Sequence, residues 1–208
     1  SCKKQETDTS TSFMRVVNTS PSSPTYNVYL NGTKLNSAAL PYAGGTAYAS
    51  YPAGSYTVKF TAASSAESLF STTVALSASS YYSHYLIGKP GSLDGLTVAD
   101  DLSMTSADKA YIRFIHLSPD APALDLAKTE ATSSLFSNKA YKSASAFIAV
   151  DAGTYALDAK ETSTGAIKAS LTSTNFVAGY HYDIICGGLA TPANDTEKPL
   201  NLQAILIK

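Results

Sequence analysis

The sequence contains no tryptophan, two cysteines and few charged residues. Charged side chains make up 15% of its 208 residues, well below the roughly 25% of an ordinary soluble domain. The 15 basic residues nearly balance the 16 acidic ones, which argues against a nucleic-acid partner because such partners require a concentrated basic surface. So few ionisable groups also make an enzyme the less favoured class. Apolar runs are short, so no membrane-spanning helix is predicted.

The two cysteines lie in very different contexts. Cys2 follows Ser1 and precedes a polar stretch, so residues 1–11 are predicted to form a flexible tether. This arrangement resembles the mature start of a bacterial lipoprotein, with Cys2 as the lipid anchor and the bacterial outer membrane as the location, on either face. The alternative is an incidental cysteine at a trimmed boundary. Cys186 lies in an apolar strand-like run and is predicted to be a small buried hydrophobe.

The remainder of the chain contains an internal sequence repeat. Three segments of the first half match three of the second in order, with Arg15 and Arg113 in equivalent places: 13–24 with 111–122, 52–58 with 151–157, and 81–88 with 180–187. We interpret this as two homologous domains. Their predicted bounds are 12–104 and 111–208, joined by a short linker over 105–110.

Both halves have the pattern of β-strands. Asn31-Gly32 between alternating segments predicts a type I′ hairpin, and turn signals recur at the spacing typical of an antiparallel sandwich. Proline cannot donate to a strand ladder, so a strand is expected to end or change sheets at four prolines: Pro21, Pro24, Pro119 and Pro122. Residues 127–137 could instead hold a short helix. The fold class is therefore all-β, with two tandem antiparallel β-sandwich domains.

A tyrosine follows the Ala-Gly turn in each half. Tyr56 and Tyr155 resemble the tyrosine corner of immunoglobulin-like domains, in which the phenol bonds to backbone a few residues upstream. The alternative is an ordinary, half-buried strand tyrosine. These two tyrosines, the four prolines, Arg15 and Arg113 are all predicted to be structural.

Each half resembles the domain-of-unknown-function family 4397, a family of secreted bacterial repeats. The resemblance rests on residues 113–122 with Asp125, and on 15–24, 28–32 and 52–56. The second half departs from the pattern, because it lacks the Asn-Gly turn and has Asp151 in place of proline. The resemblance implies an immunoglobulin-like or transthyretin-like sandwich, exported and often lipid-anchored, with no agreed activity or catalytic residues.

The candidate chemical groups form no convincing site. His84 and His181 are expected on the surface of corresponding strands. His116, Ser118 and Asp120 are too close in sequence to form a triad, because neighbouring strand residues point to opposite faces. Two pairs of aspartates could bind calcium, Asp100 with Asp101 and Asp120 with Asp125, but Asp120 and Asp125 are expected to accept turn amides or to pair with Arg113. No catalytic residue, metal or cofactor is therefore predicted.

The tyrosines offer the best candidate surface. Tyr42 and Tyr48 flank a glycine-containing loop and are predicted to form an exposed binding patch. The favoured function is a non-catalytic, lipid-anchored envelope protein for adhesion or surface binding, with a protein or glycan ligand. The alternative is a carbohydrate-binding accessory lipoprotein of a glycan-uptake system, and a hydrolase is a remote third.

Overall fold

The computed structural model describes residues 10–208, so Cys2 and nearly all of the expected tether lie outside the described residues. The described chain is all-β, with eight strands in each of two sandwiches. The first contains β1 (Thr11–Asn18), β2 (Tyr26–Leu30), β3 (Thr33–Lys34), β4 (Ala49–Pro52), β5 (Gly54–Ala62), β6 (Ser68–Leu76), β7 (Tyr81–Ile87) and β8 (Asp94–Ala99). The second contains β9 (Lys109–His116), β10 (Leu124–Lys128), β11 (Phe136–Lys139), β12 (Ile148–Asp151), β13 (Gly153–Glu161), β14 (Ile167–Phe176), β15 (His181–Gly187) and β16 (Asn201–Leu206).

The two sandwiches have the same strand order. The first pairs sheet β4-β1-β7-β8 with sheet β3-β2-β5-β6, and the second pairs β12-β9-β15-β16 with β11-β10-β13-β14. The prediction of two β-sandwiches is confirmed, but the sheets are not purely antiparallel, since β1 runs parallel to β7 and β9 to β15. Parallel neighbours need a long crossover, and the passage through the opposite sheet supplies it.

Local turn chemistry explains several strand ends. Asn31 and Gly32 both have positive φ, 46° and 84°, as a type I′ turn requires. The predicted prolines fall between β1 and β2, and between β9 and β10, where the chain changes sheets. The region 127–137 contains no helix, because β10 extends to Lys128 and β11 begins at Phe136. Among residues 10–208, no helix could cross a membrane.

A tyrosine hydroxyl closes the third sheet change of each sandwich, between β4 and β5 and between β12 and β13. Tyr56 donates to the Pro52 carbonyl at 2.5 Å, and Tyr155 donates to the Asp151 carbonyl at 2.9 Å. Each bond reaches four residues back, from the strand of one sheet to the end of the preceding strand in the other. This is the geometry of a tyrosine corner, and it ties the two sheets together where the chain crosses between them.

The strand pairing corrects the register of the third sequence match. In the first sandwich Phe13 pairs with Tyr81, and in the second Tyr111 pairs with His181. Tyr81 therefore corresponds to His181, one residue later than the sequence match placed it. Tyr82 and Tyr182 agree with this register, because their hydroxyls accept the backbone N–H groups of Ser77 and Val177 respectively. The common origin of the two halves stays a prediction.

Three apolar clusters hold the molecule together. One fills each sandwich, and the third lies between the two sandwiches. The buried members of the third cluster are Val17, Tyr85, Ile87, Ile115, Leu117 and Ile185. The central strands β1, β7, β9 and β15 are consequently covered on both faces. Their apolar runs are nearly continuous for that reason, as expected of strands with no solvent face.

Candidate functional site

A buried network of four charged side chains joins the sandwiches where these central sheets meet. Arg113 on β9 donates to both carboxylate oxygens of Asp183 on β15, at 2.9 Å each. It also donates to Asp100, which follows β8 of the other sandwich, at 2.7 Å. Arg15 on β1 reaches the same Asp183 at 2.6 Å. No side chain of the four is more than 5% exposed, and their charges sum to zero.

Three hydroxyl groups complete this network. Ser83 accepts from Arg15 at 2.7 Å and donates to Asp100 at 2.6 Å. Tyr85 accepts from Arg15 at 2.9 Å and donates to Asp183. Tyr48 donates to Asp100 at 2.5 Å. Burial first, and then the adjacent carboxylate, raises the pKa of both Tyr48 and Tyr85. Both hydroxyls therefore remain protonated donors, and the buried charges are well satisfied.

The expected partners of Arg113 are corrected by this arrangement. Asp120 accepts the backbone amides of Ala190 and Thr191, at 2.7 and 2.9 Å. Asp125 accepts from the Asn138 amide and the Thr162 hydroxyl, each at 2.7 Å. Asp120 therefore accepts loop amides, as the first of the two expectations had it. Asp125 instead bonds strand β11 and the turn after β13, and neither aspartate pairs with Arg113. Arg113 belongs instead to the contact between sandwiches.

A cleft opens beside the network, between β1 of the first sandwich and the end of β16 of the second. We call it cleft 1, and its volume is 620 Å³. It is lined by Phe13, Arg15, Val17, Ala43, Gly45, Thr46, Ala47, Tyr48, Tyr81, Ile205, Leu206, Ile207 and Lys208. Volumes of several hundred cubic ångströms with a mainly apolar and aromatic lining are typical of small-ligand sites.

Three aromatic rings form one wall of cleft 1. Phe13 stacks on Tyr81 with centroids 4.4 Å apart, and Tyr48 meets Tyr81 edge-on at 5.1 Å. The ammonium of Lys208 lies 4.6 Å from the centroid of Tyr81 and donates to the Tyr81 hydroxyl at 3.1 Å. Among residues 10–208, no carboxylate forms an ion pair with Lys208. Cleft 1 therefore combines an aromatic wall with an uncompensated positive charge.

The second sandwich has a corresponding, smaller cleft of 260 Å³, which we call cleft 2. It is lined by Ala99, Asp101, Ser103, Thr105, Tyr111, Arg113, Ser145, Ala146, Phe147 and Ala149. Tyr111 stacks on His181 at 4.8 Å, and Phe147 meets His181 edge-on at 5.0 Å. The three rings therefore repeat the arrangement in cleft 1.

The expected exposure of Tyr42 and Tyr48 is corrected, since both side chains are half-buried. The Tyr42 hydroxyl donates across the contact to Asn201 at 3.1 Å. It also lies where any side chain on Gly187 would be, since a Cβ there would come within 2.1 Å of it. Only Tyr48 lines cleft 1. The pair is thus split between a contact within the protein and a cleft wall, and ligand binding by both stays a prediction.

The expectation that His84 and His181 lie on the surface is wrong, because they are 1% and 2% exposed, and His116 is buried as well. Burial lowers the pKa of each, and to about 4 for His84. The ring nitrogens of His116 meet the Pro122 carbonyl at 2.9 Å and the Ser118 amide at 3.3 Å. They face backbone rather than the Ser118 hydroxyl. Within residues 10–208, no three His, Cys, Asp or Glu residues come together as a metal site.

Cys186 is fully buried, and burial raises the pKa of its thiol to about 12. Sequence reasoning missed Asp183, Tyr81 and Lys208, and it named Asp100 only as a possible calcium ligand, whereas the structure places it in the ion network. One signal was present for Asp183, because a carboxylate inside an apolar strand needs a buried partner. The two arginines inside the apolar runs of β1 and β9 carried the matching signal.

The family of the chain follows from its match to a family model. The model for a domain of unknown function, DUF4397, matches residues 12–127, more than half of the chain. The chain belongs to this family. The match to DUF4397 covers the first sandwich and continues into β10 of the second.

Solved structures resemble this DUF4397 chain only distantly. A carbohydrate-binding module of family CBM26 from Eubacterium rectale Amy13K, solved with maltoheptaose, is 9% identical with a TM-score of 0.27, covering 90% of this chain and 100% of that one. A leucine-rich repeat protein from Bacteroides thetaiotaomicron is 12% identical with a TM-score of 0.24, covering 95% of this chain and 26% of that one. Both scores are too low to indicate a common fold. No curated protein matches the chain.

Proposed function

We propose that the chain is a non-catalytic module of the bacterial cell envelope that acts in adhesion or surface binding. The observation that carries this proposal is cleft 1, whose wall of Phe13, Tyr48 and Tyr81 lies at the contact between two sandwiches. The buried ion network and the shared apolar cluster hold that contact together. A cleft that is formed before binding loses less conformational freedom when a ligand enters.

The positions of the acid and base groups support a role without catalysis. Asp100 and Asp183 are held by arginines, and the ring nitrogens of His116 are bonded to backbone. The lining of cleft 1 contains no Asp, Glu, His or Cys among the described residues. General acid–base catalysis needs such a group within hydrogen-bond reach of substrate. What cleft 1 offers instead is aromatic surface, which suits recognition.

Membrane attachment is proposed through a lipid on Cys2. The residues that follow Cys2 are mostly polar until β1, which gives a lipid chain a spacer before the first sandwich. Mass spectrometry of the protein isolated from its native membrane is expected to find acylated Cys2. An unmodified Cys2 thiol in that material would contradict the anchor. This experiment tests the lipid anchor and is independent of the binding function.

Surface binding is tested with the full chain immobilised and exposed to purified envelope material and to extracellular matrix proteins. We expect binding that Tyr81→Ala weakens strongly, because Tyr81 contacts the two other rings of the wall. Tyr180→Ala is the matched control, since Tyr180 is 45% exposed and lies outside the lining of cleft 1. Equal effects of both variants would contradict a role for the cleft.

A second candidate function is carbohydrate binding in a glycan-uptake system. The same three rings favour it, because aromatic faces are a common platform for the apolar faces of sugar rings. A glycan array separates this candidate from protein adhesion. Retention of sugars by the wild-type chain and their loss in Tyr81→Ala would favour it over adhesion to a protein.

A further inference from the structure

Cleft 1 carries one cation that no acidic side chain pairs with among residues 10–208, the ammonium of Lys208. Lys208 is exposed and donates to the Tyr81 hydroxyl, and no Asp or Glu lines cleft 1. Arg15, the other cation of the lining, is already bonded to Asp183. The charged side chain that cleft 1 presents to a ligand is therefore the ammonium of Lys208, and it favours an anion.

The surroundings of Lys208 restrict what this anion is attached to. The ammonium lies directly beside the ring wall, at 4.6 Å from the centroid of Tyr81, and the apolar Ile205 and Ile207 also line the cleft. A small, fully hydrated anion would gain nothing from these apolar groups. A ligand that uses both features has a carboxylate on a ring whose faces are apolar. Its hydroxyls would meet the polar atoms of Tyr48, Tyr81 and Thr46.

Cleft 2 has a corresponding arrangement of three rings but carries the opposite charge at the position of Lys208. Asp101 occupies the place of Lys208, as the pairing of Tyr82 with Ala99 and of Tyr182 with Leu206 shows. Part of cleft 2 is also occupied by the chain itself. The Tyr111 hydroxyl exchanges bonds with the amide and carbonyl of Ser106, at 2.7 and 2.9 Å. The ring arrangement alone is thus common to both clefts, and the cation distinguishes cleft 1.

We propose that cleft 1 binds a hexuronic acid residue of a glycan, with its carboxylate on Lys208 and its ring against Phe13 and Tyr48. This inference rests on the surface-binding function proposed above and names the ligand class of the same cleft. On approach of the carboxylate, Lys208 exchanges its bond to the Tyr81 hydroxyl for a charge-assisted one. The Tyr81 hydroxyl is then free to bond a sugar hydroxyl.

The test is calorimetric titration of the full chain with trigalacturonate and with galactotriose, its counterpart without carboxylates. We expect trigalacturonate to bind at least about tenfold more tightly, the size of one hydrogen bond to a charged group. Lys208→Gln is expected to remove this preference. Asp101→Asn, at the corresponding position of cleft 2, is the matched control and is expected to leave both affinities unchanged. Lys208 is exposed, so its replacement leaves the fold intact.

Three outcomes would overturn the inference. One is equal binding of the acidic and neutral sugars, and another is an unchanged preference in Lys208→Gln. The third is equally tight binding of tri-glutamate, which has the carboxylates without the sugar rings. If trigalacturonate fails to bind while the chain still binds envelope material through Tyr81, the ligand class is wrong and the proposed function stands. Loss of both would remove the proposed function as well.

Discussion

Cleft 1 and cleft 2 share one frame, yet cleft 1 has a volume of 620 Å³ and cleft 2 only 260 Å³. Thr46 and Ser145 fix corresponding loops by accepting the amides of Val16 and Phe114, at 3.0 and 2.9 Å. In cleft 2 the chain that follows β8 covers the rings, since the Ser103 carbonyl lies 3.2 Å from a ring nitrogen of His181. Arg113 closes the floor of cleft 2, because its guanidinium carbon lies 4.4 Å from the centroid of the Phe147 ring. The strand pairing thus sets the frame, and the residues around it decide whether a ligand can enter.

The two sandwiches also differ in the bonds that their buried arginines make. Arg113 bonds both carboxylates, whereas Arg15 bonds one carboxylate and two hydroxyls. The strand positions are equivalent, but β15 carries Asp183 where β7 carries Ser83. Two sandwiches of like topology therefore meet in an asymmetric contact.

The largest expected effect comes from breaking that contact at its centre. Arg113→Met leaves Asp100 without an arginine and Asp183 with only one, and we expect a loss of about 3 to 5 kcal/mol in the free energy of unfolding. Arg15→Met is expected to cost less, because Asp183 keeps Arg113 and the hydroxyls keep their acceptors. Urea unfolding followed by circular dichroism measures both. Equal losses in the two variants would contradict the asymmetry.

A surface ion pair across the same contact is the control for this experiment. Lys142 pairs with Asp94 of the first sandwich, and both side chains are nearly half exposed. Exposed pairs contribute less than about 1 kcal/mol, so Lys142→Met should change stability little. A loss as large as that of Arg113→Met would show that any bond between the sandwiches matters, rather than the buried network.

The sequence predicts the features of each sandwich that depend on near neighbours in the chain. The Asn31-Gly32 hairpin, the two tyrosine turns and the proline-marked strand ends depend on a few consecutive residues. The ion network joins residues 13 to 168 positions apart in the chain, so spacing along the chain could not pair them. The histidines were misplaced for a physical reason, since alternation predicts a solvent face only when one face of a sheet is free.

The two sandwiches also differ at a position inside their cores. His84 on β7 stacks at 5.9 Å on Phe60, and Ile184 holds the corresponding place on β15. Burial lowers the pKa of His84 to about 4, although nearby Asp94 partly opposes this. The unfolded chain therefore takes up the proton first as pH falls. The stabilising effect of neutral His84 is complete above about pH 6.5 and is lost toward pH 4.

We expect His84→Ile to reduce this acid sensitivity. The wild-type chain should lose about 2 to 3 kcal/mol through His84 between pH 7 and pH 4, and the variant should lose less by that amount. Thermal unfolding at several pH values measures the difference. His116 and His181 remain in both proteins, so their contributions cancel. Parallel pH profiles for the two proteins would show that His84 is not the responsible group.

The smallest effect concerns the tyrosine corners, where the two sandwiches are most alike. Tyr56→Phe and Tyr155→Phe each remove one hydrogen bond to a backbone carbonyl and keep the ring, so each should cost about 1 kcal/mol. The carbonyls of Pro52 and Asp151 remain open to water because both bonds are exposed, which keeps the losses small. Urea unfolding of the two variants should therefore give nearly equal values. A much larger loss in one variant would mean that one sandwich depends on its corner to hold the sheet crossing, and that the likeness of the two crossings does not extend to their energetics.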